Sequence, residues 1–428
     1  MNSLNALAYG AASARQVAVP LIWAMLVALA GAPASAGEVT KGWIEVRNPK
    51  KLPARIACER VSLGKQGDYK PCIAKLPNGE LFIVAFDASH RPIDGGIRED
   101  MLLWRSRDGG RTWSKRQVLP LVGREPYFSV LSDGTLLITV HFLKQDVRNK
   151  EGYVYSLLHR STDGGHTWQS MKIGWEDVPG AAEKATVVTS RNVLELQDGT
   201  VILGVAAPKG VSYLWRSRDR GRTWDKTLAC RFAGVDTSRL WWPIMGETVF
   251  WQARNGNLLG LFRVDQKLFP PIPGTKVPQE KLDQYERLVL FRSRDGGRNW
   301  RMEELGSYYG EMYPAILRLQ DGRLLMTFTL RAAVPPNERP LGVRCVLGRE
   351  TDDGFEFDFR HDRIMLDTKT PDDSISGGGF GPTVQLDDGT LVTAYSYAGP
   401  GGWRGQDFRI ELVRWRCPPA GRSVKQGP

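Results

Sequence analysis

The chain contains the stretch Ser106-Arg107-Asp108-Gly109-Gly110-Arg111-Thr112-Trp113, and it repeats it. The copies read Ser161-Thr162-Asp163-Gly164-Gly165-His166-Thr167-Trp168, Ser217-Arg218-Asp219-Arg220-Gly221-Arg222-Thr223-Trp224 and Ser293-Arg294-Asp295-Gly296-Gly297-Arg298-Asn299-Trp300. A fifth, worn copy is Glu350-Thr351-Asp352-Asp353-Gly354-Phe355. The octapeptide has the chemistry of a turn. Asp can bond the backbone two residues on, Gly supplies a positive φ, and Trp can plug the turn against a sheet. Each full copy follows an apolar run, such as Met101 to Trp104 or Leu288 to Phe291, and so joins two strands. A residue type needed identically in four repeats has the same structural task four times. These Asp are therefore assigned to the turn, not to catalysis or metal.

A second repeat lies upstream of each octapeptide: an apolar strand, an Asp-Gly or Asn-Gly turn, and another apolar strand. The six turns are Asn78-Gly79, Asp133-Gly134, Asp198-Gly199, Asn255-Gly256, Asp321-Gly322 and Asp388-Gly389. Such dipeptides between apolar runs are the strongest short hairpin signal. Five hairpins are followed by an octapeptide or its remnant, which adds strands three and four. The expectation is an all-β six-bladed β-propeller of four-stranded antiparallel blades. After the sixth hairpin only one strand follows, Phe408 to Trp415. Its outer neighbour is expected from the N-terminal segment, around Trp43 to Val46 or Arg55 to Val61, closing the ring and removing an open edge. Longer insertions, Phe269 to Lys281 and Pro335 to Pro340, fall where strand two leads into strand three.

Composition bounds the function. The 428 residues are 42% hydrophobic and 25% charged, an ordinary globular balance. The net charge of +11 is scattered through turns with no basic block, which reads as a solvated surface and no nucleic-acid partner. Residues 1–36 read as a signal peptide: Arg15, the apolar run Val17 to Ala30, then Ala34-Ser35-Ala36. The protein is expected to be secreted or periplasmic. Residues 37–428 are expected to form a single domain, a monomer with no membrane span. Five Cys, an odd number with no CxxC spacing, indicate neither a disulfide scaffold nor zinc. His90, His141 and His159 lack metal-ligand spacing, and the glycine runs at Ser376 to Gly379 and Gly399 to Gly402 open no helix. No metal and no cofactor are expected.

Hairpin geometry locates a site. The Asp-Gly turns and the octapeptides share one face; the starts of strand one and the ends of strand two share the other. Counting back eight from each turn gives Lys70, Glu125, Ser190, Glu247, Tyr313 and Phe380. Counting forward eight gives Phe86, His141, Ala206, Arg263, Thr329 and Ser396. Inner strands of a packed propeller should be small or apolar at these places. Converging charges are costly unless paired or used, so this set is the candidate site.

The repeated octapeptide and its hairpins resemble the Asp-box (BNR-repeat) propellers of the sialidase, or neuraminidase, superfamily, over essentially the whole mature chain. That resemblance implies a glycoside hydrolase that holds an acidic sugar with three Arg and uses an Asp acid/base, a Tyr nucleophile and a Glu. Gly246-Glu247-Thr248 leading through Asn255-Gly256 to Arg263 is similar to the family's Glu-to-Arg unit. Asp100 takes the acid/base position, and Arg331 or Arg339 that of the last Arg. Lys70, in Asp68-Tyr69-Lys70-Pro71, stands where the family has its first Arg. The family's Tyr falls on Phe380, which leaves Tyr313, one blade earlier, to act with Glu247 or Glu311. Without the family's Tyr the chemistry moves toward carboxylates, with Glu125, Glu247 and Asp100 available. Lys70, Glu125, His141, Arg263 and Arg331 are expected to bind substrate; Asp100, Glu247 and Tyr313 to do the chemistry. Trp241-Trp242 and Trp403 are candidates to stack on sugar rings. The implied function is an exported sialidase-like hydrolase of a carbohydrate. The alternatives are a non-catalytic glycan-binding propeller, and a polysaccharide lyase using Tyr313 and His141.

Overall fold

The computed structural model describes residues 39–89, 91–93, 96–240, 242–264, 268–279, 283–371, 379–400 and 407–419. Residues 1–38, His90, Trp241, Trp403, most of the first glycine run and half of the second lie outside the described residues. Within them the protein is all-β apart from three short 3-10 turns. No helix among the described residues is long and apolar enough to cross a membrane.

Each of the six Asp-Gly or Asn-Gly turns joins two antiparallel strands. In all six the Gly has φ between +79° and +87°, where a Cβ would be strained. The Asn or Asp before it accepts from the amide two residues on, at 2.9–3.0 Å. The octapeptide works differently from the expectation. Asp108 accepts from Arg111 N at 3.0 Å, from Thr112 N at 2.9 Å and from Thr112 Oγ1 at 2.7 Å. It reaches three and four residues on, because Gly109 and Gly110, both at positive φ, curl the backbone around the carboxylate. Ser106 Oγ donates to Asp108 and accepts from Gly110 N; Trp113 Nε1 donates to Gly110 O at 3.1 Å. The turns at Asp163, Asp219 and Asp295 repeat the Asp and Ser contacts.

Asp68–Lys75, Leu81–Asp87, Asp100–Ser106 and Gln117–Val122 form one four-stranded sheet in that order. Arg124–Val130, Leu136–Phe142, Tyr155–Ser161 and Gln169–Ile173 form the next. In the third, the inner strand is broken into Val188–Thr189 and Leu194–Glu195, and the outer one shrinks to bridges at Asp225 and Ala229. The fourth runs from Val249–Gln252 to Asn299–Glu303 and gains a fifth, parallel strand, Arg231–Ala233. Arg91–Ile93 and Gly96–Arg98 pair as a separate two-stranded sheet, and the other strands join into a ten-stranded sheet through the N-terminal segment. Arg55–Leu63 pairs with Phe408–Arg416, Cys58 opposite Trp415, as the sequence predicts. Val39–Arg47 pairs with Arg55–Leu63 and also reaches Arg363–Met365. Both N-terminal candidates are therefore used, and the second sews two sets of strands together.

Apolar cores lie between neighbouring sheets: Phe82, Leu103, Phe128 and Ile138 in one, Ile73, Trp104, Trp113 and Val392 in another. The first strands of successive hairpins pack side by side, Asp68–Lys75 against Arg124–Val130 and Thr383–Gln385, and Glu311–Arg318 against Val249–Gln252 and Thr383–Gln385. Their starting ends are thereby gathered at one place.

Candidate active site

The gathered ends have a common backbone device. Lys70, Glu125, Glu247, Tyr313 and Phe380 have φ of +49°, +54°, +61°, +55° and +52°. These are five of the six positions reached by counting back eight. A non-Gly residue held there costs roughly 1–3 kcal/mol, so surrounding structure must impose it. At three of them the ladder register shifts, skipping Lys70-Pro71, Glu125-Pro126 and Tyr313-Pro314. Pro cannot donate to the ladder, so the strand bulges, and a bulge re-aims the side chain beside it.

The result is one connected cluster. Arg331 donates to Tyr313 Oη at 3.1 Å, and Lys70 Nζ lies 3.4 Å from the same oxygen. Lys70 pairs with Glu125 at 2.7 Å; Arg191 donates to Glu125 at 2.8 Å and also to Glu247. Arg263 sits 3.3 Å from Glu247 Oε2 and His141 Nε2 3.8 Å from Glu247 Oε1. Seven predicted residues, Lys70, Glu125, His141, Glu247, Arg263, Tyr313 and Arg331, are thus brought together. All are buried or nearly so. Phe380 closes one side, its ring 5.3 Å from that of Tyr313 and 4.6 Å from the Arg191 guanidinium. Trp242 lies edge-on to His141 at 6.1 Å, with Arg263 over its ring at 5.7 Å.

Three of the expected residues stand apart from the cluster or from the partners expected of them. Asp100 does not join the cluster's contacts; it pairs with Arg98 at 2.9 Å and Arg148 at 3.1 Å. Its neighbour Glu99 is nearer, 3.5 Å from Arg124, which in turn pairs with Glu125. Tyr313 makes no contact with Glu247 or His141 among the described residues; Arg191 intervenes, 5.7 Å from the Tyr313 ring. Glu311 is fully buried and held elsewhere, by Arg363 at 2.7 Å and Tyr308 N at 2.8 Å.

Counting missed Arg191, the most connected cation of the site. The count falls on Ser190, whose hydroxyl serves the backbone of Asn192 and Gly204. The third hairpin has no Pro here and no positive φ at Ser190, and its inward residue is the next one along. Asp283 and Glu286, on an insertion and a strand edge, were also missed; they hold Arg331 at 3.0 Å and Arg263 at 2.7 Å.

Electrostatics follow from this pairing. Burial works to raise Glu125, but Lys70, Arg191 and Arg124 outweigh it and hold it well below the usual carboxylate range. Burial likewise opposes Arg191 and Arg263 at Glu247, and the two guanidinium groups win, lowering it. Both are carboxylates at neutral pH. Burial, helped by Arg191, pushes His141 down to about 4, so its ring is neutral. Glu247 Oε2 accepts no hydrogen bond among the described residues. A buried carboxylate oxygen with a free lone pair, beside a cation, is chemically available.

No family model matches the chain. A sialidase from Micromonospora viridifaciens is 28% identical over 196 residues, which is 38% of this chain and 29% of that protein. The chain therefore matches less than a third of that relative's length. Among solved structures, a protein of unknown function from Dyadobacter fermentans superposes with a TM-score of 0.61 at 20% identity, over 87% of this chain and 99% of that one. The intramolecular trans-sialidase from Ruminococcus gnavus gives a TM-score of 0.56 at 12% identity, over 82% and 94%. What the chain shares with the two solved structures is the fold. In fold, and in sequence over that matched stretch, the protein is sialidase-like.

Proposed function

We propose that the protein is an exported glycoside hydrolase that cleaves a residue from a glycan carrying an acidic sugar. Residues 1–36 are its signal peptide, and residues 37–428 one domain of six four-stranded blades, two of them sharing the ten-stranded sheet. The observation that carries this reading is the buried cluster itself. Five strained backbone positions and four cations, Lys70, Arg191, Arg263 and Arg331, are spent on one spot. A fold keeps such costs where chemistry or recognition repays them.

Lys70, Arg263 and Arg331 hold the sugar's acidic group. Lys70 does so as a point charge, without the two-pronged grip of an Arg. Glu247 acts directly, as nucleophile or base, through Oε2. Tyr313 Oη, set between Lys70 and Arg331, orients the ring beside the acidic group. Asp100 supplies the proton to the leaving oxygen, and its pairs with Arg98 and Arg148 loosen as substrate enters. Trp242 offers an apolar face to the sugar.

The test is turnover of a panel of fluorogenic glycosides, sialosides included, by the wild type and by Glu247→Gln. The wild type releases sugar and the variant loses about 100-fold or more in kcat, the scale for removing an acid/base group. Binding without release across the panel would instead make this a glycan-binding propeller, and an unsaturated product absorbing in the ultraviolet would make it a lyase.

A further inference from the structure

A cavity of about 790 Å3 is lined by none of the central cluster. It is bounded by the two insertions that sequence analysis singled out, at Pro273 to Lys276 and at Pro335 to Glu338, together with the N-terminal Arg47. Five cationic side chains face it: Arg47, Lys276, Arg344, Arg360 and Arg363. Among the described residues Glu338 is the one carboxylate in its walls, and that side chain is exposed and tied to Arg47 at 3.3 Å. His361 is occupied by Asp358 at 2.9 Å.

Arg344 is the informative residue. It is 4% exposed. One of its nitrogens donates to two backbone carbonyls, Glu338 O at 2.8 Å and Pro340 O at 2.5 Å, and its Nε has no hydrogen-bond partner among the described residues. No carboxylate pairs with it among the described residues. The carboxylates that act on it from farther off are held by other groups, Glu311 by Arg363 and Asp367 by Lys369 N and Thr370 Oγ1. Burial first, and Arg363 second, push the Arg344 guanidinium down to about 9. A buried cation without a counter-charge is among the costliest groups a fold can keep. Nearby Lys276 has no ion pair among the described residues. The Arg360 side chain is exposed and donates to the Tyr308 hydroxyl at 3.0 Å, with no ion pair among the described residues. Between these charges the walls are apolar rings: Tyr308, Phe359, Pro273, Pro335 and Pro336.

We propose that this cavity is a second binding site, separate from the central one, for a sugar bearing a carboxylate or sulfate. The oxyanion takes the counter-charge place beside Arg344, with Lys276 and Arg360 at the mouth, and the ring stacks on the Tyr, Phe and Pro walls. The volume suits a ligand of one or two sugar rings. Oxyanion geometry favours Arg over any other partner. The proposal does not depend on what the central site does.

The test is titration calorimetry of the whole mature protein with sodium glucuronate, galactose 6-sulfate and neutral glucose. A control variant, Arg331→Met, weakens the central site alone. Saturable binding of either acidic sugar that persists in Arg331→Met is expected, with glucose silent; which acid binds more tightly tells carboxylate from sulfate. Arg344→Met is expected to weaken that binding by about tenfold or more, one lost charged hydrogen-bonding partner. Should Arg344→Met fail to fold, Lys276→Glu combined with Arg360→Glu, both at exposed positions, gives the same reading. Binding that vanishes in Arg331→Met, or that ignores both cavity variants, or no saturable binding at all, overturns the proposal.

Discussion

The two ends of the same strands use carboxylates in opposite ways. At the octapeptide end, Asp108 finds every partner within four residues: Ser106, Arg111 and Thr112. At the other end, Glu125 is held by Lys70 and Arg191, 55 and 66 positions away, and Glu247 by Arg191, 56 positions away. The first kind of carboxylate completes a turn and would do so in any sheet. The second kind is satisfied only once three hairpins have met. A local closed loop of hydrogen bonds is a structural device. A set of charges that becomes neutral only through the assembled fold is where a ligand can compete for partners. The left-handed residues sharpen the contrast, since the turns put Gly there, with Arg220 the exception in one octapeptide, and the central ends put Lys, Glu, Tyr and Phe.

The largest effect that tests this contrast is Arg191→Met. It leaves Glu125 and Glu247 buried with a shared partner gone, and breaking a buried pair costs about 3–5 kcal/mol. Urea denaturation is the measurement; a change under 1 kcal/mol would mean the central carboxylates are not held by the assembled fold. Next comes Tyr313→Phe, which keeps the ring against Phe380 and removes only the oxygen between Lys70 and Arg331. Stability should hardly move, while kcat/KM for an acidic substrate falls by about tenfold, one charged hydrogen bond's worth. An unchanged kcat/KM would take Tyr313 out of the site. Smaller still is Asp108→Ala. It removes several exposed hydrogen bonds at one of four equivalent turns, so a loss of about 1–2 kcal/mol is expected in the same urea assay. Activity should survive, and an activity loss larger than the stability loss would blur the division between the two ends.

The same division explains what could be read in the sequence. The turns were legible because their chemistry is local: Asp or Asn, Gly, and the next amides follow one another in the chain. The six hairpins and the pairing of Arg55–Leu63 with Phe408–Arg416 followed from that regularity. Six of the eight candidate site residues came from counting, because the hairpins keep a fixed length from turn to strand start, and Arg331 came from family likeness. Counting fails where a hairpin departs from the rule. Ser190 lacks the following Pro and the left-handed φ, so Arg191 took the inward place. Asp283 and Glu286 sit beyond an insertion, where no count from a turn applies. Asp100 was placed by family likeness alone, and its partners Arg98 and Arg148 come from connecting segments no repeat describes. Arg344 gave no sequence signal, since a strand Arg is ordinarily a solvated one.

Two histidines give the finest test. Burial pushes His141, in the cluster, and His159, between Val122 O and Ser170 Oγ in a sheet, each down to about 4. The unfolded chain binds these protons near pH 6.5 and the folded protein does not. Stability is therefore fully present above about pH 6.5, falls as the pH drops toward about 4, and levels off below that as far as these two rings are concerned. His159→Gln should flatten part of that slope, as read from urea midpoints at pH 7 and 4.5. The two rings part company when ligand is added. An acidic sugar at the centre brings a negative charge near His141 and makes its protonation easier, so its titration should move upward in an NMR experiment while His159 stays put. A neutral sugar should move neither. Equal movement of both rings would mean that the ligand acts on the whole fold, and that the central end of the strands is as structural as the turns.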